Sequence, residues 1–364
     1  MHEIEILQFE EKYFPRIWGG RKLEEIYGKK LPASELIGEA WLLADHPQCE
    51  SIVVNGKHAG KTLRKLLEGP EMLSILGDRA KLTHHGRFPL LLKLLDARED
   101  LSIQVHPDDE AALRLGEPDV GKTEMWHVLQ SDAESTLICG LKPSTTLKSF
   151  ASAINHNQVD AIMNRFKAPE HTAVFVPAGT VHALGKGFII AEIQQNSDLT
   201  YRIYDWDRCD TSGKRRELHL DKAMQVTSFD TPHSGPNLPL SYDNEGFTVS
   251  VEAACRYFAS ELVSGDGTYS RTTRGESFHI LLGIDGLFAV NLTTNVVQMK
   301  SGEAMLIPGR ASRYSASGQG SFLDFYIPDL KTDIFMPLIG AGHTKEQILA
   351  LGGVTTASND WFGK

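Results

Sequence analysis

The feature that most constrains this chain is the rhythm of its apolar residues: short runs, many alternating apolar with polar, each cut by a Pro- or Gly-bearing turn. Alternation sets successive side chains on opposite faces of a half-buried strand, and turn residues at such spacing send the chain back on itself. Residues 51–57, closed by Asn55-Gly56, then 101–107, 123–128, 172–176, 188–194 and 199–204 read as strands. Later, 247–253, 278–282, 286–290, 304–307 and 322–327 do the same. Residues 89–96, PLLLKLLD, are almost continuously apolar, which suits a buried strand, with a helix left open on periodicity alone. Helical spacing occurs at 62–67 and 70–76, and at 144–166 with apolar positions Leu147, Phe150, Ile154, Val159, Ile162 and Phe166.

Many short strands with Gly/Pro turns predict a mainly β fold, a sandwich or jelly-roll. A weak internal repeat extends that expectation. Residues 174–182, VFVPAGTVH, and 305–313, MLIPGRASR, both read strand, Pro, Gly, then a polar residue leading back, and only the first copy ends in histidine. Two related β-barrel halves are expected, of which only the first could bind metal, with a small helical insertion at 144–166. A length of 364 residues suits two domains. The division is expected as a catalytic, metal-binding domain over 1–235 and a degenerate β domain over 236–364. Residues 230–239, rich in Pro, Ser, Gly and Asn, are the linker candidate.

Lys and Arg number 37 against 47 Asp and Glu, a net charge of −10 with no basic cluster, which argues against a nucleic-acid partner. An anionic small substrate stays open, because a few local cations outweigh a distant net charge. No apolar run approaches the roughly 18 residues of a membrane span, so no membrane partner is expected. The cysteines, Cys49, Cys139, Cys209 and Cys255, form no CxxC, and the opening residues Met1-His2-Glu3-Ile4-Glu5 lack a signal-peptide layout. Both point to the cytoplasm.

Side chains two apart on a strand share a face. Ser102, Gln104 and His106 therefore project together, as do Lys122, Glu124 and Trp126, with His127 on the opposite side. His182 follows the turn Pro177-Ala178-Gly179. Gln, His, Glu and His supply two nitrogens and two oxygens, a set suited to zinc or another first-row divalent ion. Each has a plainer reading, as a strand-end histidine, an outward-facing edge glutamate or a turn cap. Lys93 inside an apolar run calls for a buried partner or an anion, while Lys122 beside Glu124 suits a salt bridge equally well. Arg202, in the apolar and aromatic strand LTYRIY, has the fork that grips phosphate. Glu192, after FIIA, is placed for a raised pKa and proton transfer, or as a salt-bridge partner for Arg202.

At these residues the sequence resembles the type I mannose-6-phosphate isomerases (phosphomannose isomerases), zinc enzymes of the cupin fold. The matching stretches are PLLLK at 89–93, LSIQVHPD at 101–108, GKTEMW at 121–126, VPAGTVHA at 176–183, AEIQQNSD at 191–198 and YRIYDWD at 201–207, with Trp18-Gly19 near the start. The resemblance implies two cupin-type jelly-roll barrels and one Zn2+ per chain held by Gln104, His106, Glu124 and His182. It implies a sugar-phosphate pocket using Lys93, Ser102, Lys122, Arg202 and Trp18, with Glu192 at an active-site acidic position and Arg202 as the catalytic arginine. The implied reaction interconverts mannose 6-phosphate and fructose 6-phosphate through an enediol. The large helical insertion of the long eukaryotic forms is missing, and Leu184 stands where they place a tyrosine, so the chain resembles the short bacterial branch.

Two other classes are separable on the same residues. A different metal cupin, such as a dioxygenase or another sugar isomerase, favours histidine-rich ligands with iron and leaves Lys93, Lys122 and Arg202 without a role. A non-catalytic sugar-phosphate sensor would have lost a ligand or Arg202, and neither is lost.

Overall fold

The computed structural model describes residues 5–354 apart from 157, 210–212, 230–234 and 294. Residues 230–234 of the linker candidate and 1–4 of the N-terminus thus lie outside the described residues. The chain forms two compact units, one of residues 13–41 and 92–236, the other of residues 1–12, 42–91 and 237–364. The change of unit near 236 falls where the linker candidate lies, whereas the membership of 1–12 and 42–91 follows from no single cut of the chain.

The first unit carries two sheets. One runs in the order Lys12–Gly20, Ile37–Leu43, Leu90–Ala97, Phe188–Gln195, Glu124–Ser131, Ala173–Val176. The other runs Tyr201–Tyr204, Ile103–Val105, His182–Ala183, Thr136–Leu141, Met163–Lys167. One core draws on both: Trp126, Val128, Val174, Phe188 and Ile190 from the first sheet meet Leu137 and Cys139 from the second. That is sandwich packing, with neither sheet closing on itself. Strand Leu90–Ala97, with neighbours on both edges, is buried along its whole length, in keeping with its mostly apolar sequence.

The helical stretch expected over 144–166 is shorter. Thr146 opens a helix over Leu147–Asn155 with a capping box to Ser149, a 3-10 turn covers Val159–Ile162, and Met163–Lys167 is a strand. Ile162 and Phe166 are four apart, which mimics a helix face. Antiparallel pairing of Leu137 with Phe166 and Thr136 with Lys167 decides otherwise, because it satisfies the backbone at the sheet's edge. The helix instead covers the outer face of the second sheet, where Phe150 and Val159 pack with Ile103, Ile138 and Ile203.

The second unit is built on a seven-stranded sheet containing Leu240–Asn244, Phe247–Ala254, Ala259–Thr272, Arg313–Tyr326, His279–Asn291 and Val296–Lys300, with Ala304–Ile307 beside His279–Asn291. Residues 278–282 and 286–290, read as separate strands, are one strand bent by a bulge between Gly283 and Asp285. A glycine signal for a turn here makes a bend instead. Residues 51–57 form no strand: Ile52 and Val53 make isolated bridges, and Asn55 leads into a 3-10 turn over Gly56–His58. No helix among the described residues is long and apolar enough to cross a membrane.

Candidate metal centre

Sheet register brings the expected ligands together. Gln104 is paired directly with His182 on one side and with Arg202 on the other, so three adjacent strands set Arg202, Gln104 and His182 in one row. Across the sandwich, Glu124 opens its strand opposite Val176 and Gln194. His106, past the end of strand Ile103–Val105, completes a buried triad with Glu124 and His182, whose ligand atoms all lie within 4.8 Å of one another. His106 Nε2 is 3.4 Å from Glu124 Oε2, and His182 Nε2 is 3.3 Å from Glu124 Oε1. Among the described residues this is the one group of three or more His, Cys, Asp or Glu side chains so arranged. Arg313, which matches His182 in the internal repeat, is exposed.

The protonation states suit a cation. His182 Nδ1 is 2.8 Å from the Thr180 carbonyl, which can only accept, so the proton sits there and Nε2 presents a lone pair. That lone pair faces Glu124 Oε1, a buried oxygen with no hydrogen-bond donor among the described residues, while Oε2 has the Lys122 ammonium beside it. Two acceptors converging with no proton between them need a positive charge. Burial pushes the His106 imidazole down to about 3, helped by Lys122 and opposed by Glu124, and burial also lowers His182. Both rings are therefore neutral near pH 7, the form that ligates metal. Burial would raise the Glu124 carboxyl, but Lys122, His106 and His182 outweigh it and hold it well below the usual range. Lys122 Nζ lies 2.7 Å from Glu124 Oε2 and 3.2 Å from His106 Nε2.

Gln104 Nε2 is 3.3 Å from His182 Nε2, and its Oε1 accepts from Ser102 Oγ at 3.3 Å. Ser102 in turn accepts from Arg202 Nε at 3.3 Å, tying the guanidinium to the triad's edge. Burial lowers the pKa of Arg202, with Arg216 adding to the effect.

Residues 6–125 match a family model described as the phosphomannose isomerase type I catalytic domain. Mannose-6-phosphate isomerase ManA of Bacillus subtilis is 35% identical over 317 residues, 86% of this chain and 96% of that protein. The chain belongs to the type I mannose-6-phosphate isomerases. The crystal structure of the mannose 6-phosphate isomerase from Bacillus subtilis superposes with a TM-score of 0.80 at 32% identity, covering 88% of this chain and 99% of that one. A mannose 6-phosphate isomerase bound with zinc and yttrium shares the fold, with a TM-score of 0.68 at 18% identity over 88% of this chain and 99% of that one.

In this isomerase the remaining expected residues divide. Glu192 pairs with Trp126 Nε1, at 3.0 Å, and with Lys93, at 3.7 Å. Burial raises its pKa, and Glu124 adds to that. Arg202 instead donates to Ser102 and to the Glu217 carbonyl. Lys93 has buried partners, as its setting called for, in Glu39 at 3.6 Å and Glu192 at 3.7 Å, with the partly exposed Asp198 at 3.8 Å. Trp18, expected among the substrate residues, packs in the core with Leu95 and Trp126, and a Cβ on Gly38 would come within 2.7 Å of its ring. Sequence reasoning missed Glu39, Trp41 and Asp198. Glu39 carried a usable signal, since it is a carboxylate inside the apolar run IGEAWLL, the counterpart of Lys93 inside PLLLKLLD. A cavity of about 420 Å³ lined by Asp108, Arg114, Gly179 and Ser228 includes none of these residues in its lining.

Proposed function

We propose that this isomerase interconverts mannose 6-phosphate and fructose 6-phosphate through an enediol with one zinc ion per chain, and that the cytoplasm is where it acts. The observation that carries the metal reading is the buried Glu124 Oε1 without a hydrogen-bond donor, set 3.3 Å from the lone pair of a neutral His182 imidazole. His106, Glu124 and His182 would hold the ion, and Gln104 would add its amide oxygen once its side-chain amide, with Nε2 now toward His182, is turned over. A zinc ion so held supplies Lewis acidity toward the sugar's carbonyl oxygen. The relative bound with zinc and yttrium has the same fold, and the free Cys49, Cys139, Cys209 and Cys255 suit a reducing compartment.

An aldose and a ketose exchange by moving a proton between C1 and C2, so the site needs a base and a donor for the oxygen that gains charge. Glu192 is assigned the proton: burial keeps its carboxyl easier to protonate than a free glutamate, and Trp126 orients it. Arg202, braced by Ser102 and the Glu217 carbonyl, is assigned charge stabilisation beside the developing enediolate. Lys93, Lys122 and Ser102 are assigned the substrate's phosphate and hydroxyls, with binding energy realised away from the reacting carbons. Trp18 acts from behind, through packing. The catalytic cupin domain is assigned to residues 1–235, paired with a C-terminal degenerate cupin-like domain over 236–364.

The test is turnover of mannose 6-phosphate to fructose 6-phosphate before and after chelation, with zinc added back and metal content measured. Turnover lost on chelation and restored by one equivalent of zinc is expected. Full turnover in metal-free protein would overturn the zinc assignment.

A further inference from the structure

Strand Ile37–Leu43 is buried throughout and lies beside Leu90–Ala97 in the first sheet. Its Glu39 and Trp41 are two apart and share a face. Glu39 is anchored at both oxygens: Arg16 Nε donates to Oε1 at 2.7 Å, and Trp41 Nε1 donates to Oε2 at 2.7 Å. Burial would raise its carboxyl, but the Lys93 and Arg16 cations outweigh burial and hold it down at about 2. A fixed carboxylate thus stands in the interior, anchored by its own strand and by Arg16.

The group it faces is Lys93. The Lys93 ammonium is almost wholly buried and lies 4.8 Å from the centre of the Trp41 ring, with Glu39, Glu192 and Asp198 oxygens at 3.6, 3.7 and 3.8 Å. Each distance is short enough for strong attraction and too long for a hydrogen bond. Lys93 donates no hydrogen bond to any of the described residues, so three charge-assisted donors stand uncommitted beside the proposed proton-transfer group. Three-way attraction against an aromatic platform holds such a lysine without using its donors. Of the three carboxylates, Asp198 is partly exposed and Glu192 is oriented by Trp126, whereas Glu39 is gripped at both oxygens.

We propose that Glu39 is a positioning residue of this active site: backed by Arg16 and Trp41, it draws the Lys93 ammonium away from Glu192 and Asp198 and keeps its donors open for the sugar phosphate. Remove the charge at Glu39, and the remaining attraction pulls Lys93 onto Glu192 and Asp198, committing the donors to protein. The proposal rests on the assignment of Lys93 to substrate binding.

The experiment is a double-mutant cycle in kcat/KM for mannose 6-phosphate, using the zinc-loaded parent, Glu39→Gln, Lys93→Met and the double variant, with zinc content and Tm measured on each. Lys93→Met is expected to lower kcat/KM at least tenfold, about what one charge-assisted hydrogen bond contributes. Glu39→Gln is expected to lower it about tenfold in the parent and less than twofold in the Lys93→Met background, with zinc retained. Glu39→Asp should recover part of the loss. An equal loss from Glu39→Gln in both backgrounds, or no loss in the parent, overturns the positioning role while leaving the Lys93 assignment standing. No loss from Lys93→Met overturns that assignment, and the proposal with it. Should Glu39→Gln not fold, Arg16→Gln, at a partly exposed side chain, loosens the same carboxylate and is carried through the same cycle.

Discussion

The Glu124–Lys122 pair sets up the sharpest test of the metal centre. Both side chains are buried, their charged atoms are 2.7 Å apart, and Glu124 also faces His106 and His182. Glu124→Gln keeps the shape and deletes the charge. It leaves the Lys122 ammonium buried with only more distant carboxylates such as Glu192 to balance it. Removing one partner of a buried pair costs about 3–5 kcal/mol, because the surviving charge stays desolvated. In a unit of about 170 residues, each kcal/mol lowers Tm by roughly 2–4 °C, so a fall of at least about 6 °C is expected. The assay is unfolding of the chelator-stripped protein, so that metal affinity does not enter. Glu124→Gln combined with Lys122→Met removes both charges and should recover about 2 kcal/mol or more of the single variant's loss. Zinc competition against a chromophoric chelator should meanwhile show weakened binding in both variants. A metal-free Glu124→Gln protein within about 0.5 kcal/mol of the parent would refute the reasoning. So would a double variant no more stable than the single one.

Three further outcomes follow from the same geometry. Arg202→Ala is expected to lower kcat by about 10²–10³ with zinc still bound, and retained turnover would remove its charge-stabilising role. Glu39 is held near 2 in the folded chain against an ordinary 4.5, so its contribution is complete above pH 4.5 and is lost as pH falls toward 2. The parent's stability advantage over Glu39→Gln should accordingly shrink by about 3 kcal/mol across that window in acid-unfolding curves, and a constant difference would contradict the sign. A Cβ on Gly121 would lie 2.4 Å from the backbone of Asp108 and Asp109, so Gly121→Ala should displace the segment carrying Lys122 and Glu124. A loss of about 1–3 kcal/mol and weaker zinc retention are expected, and unchanged values would show that the backbone yields freely.

Much of this was legible before any fold was known. Residue type, strand spacing and the turn before His182 mark Gln104, His106, Glu124 and His182 as candidate ligands, and the family resemblance selects that reading and assigns roles to Lys122, Glu192 and Arg202. Lys93 announced itself by being charged inside an apolar run. Trp18 did not, because a motif tryptophan reads alike whether it lines a pocket or packs behind one, and only neighbours such as Gly38 and Trp126 distinguish them. The end of the helix near 156 was equally hidden, since a four-residue spacing fits a helix until a sheet edge offers Phe166 a partner.

What the sequence by itself determined is local: mainly β structure, the buried run around Lys93, a helix beginning after Ser144 and the chemical types of the candidate ligand set. Each depends on periodicity or composition within a few residues, where side-chain direction is dictated by the strand or helix itself. Tertiary structure decided which of these residues meet. The row Arg202–Gln104–His182 exists because three strands distant in sequence share one register, and a slip of one residue would turn each side chain to the other face. Likewise the Glu39–Lys93–Glu192 cluster exists because three buried strands lie next to one another in one sheet. Long-range strand pairing is written in no local pattern, and it alone brings these charges close enough to change one another's chemistry.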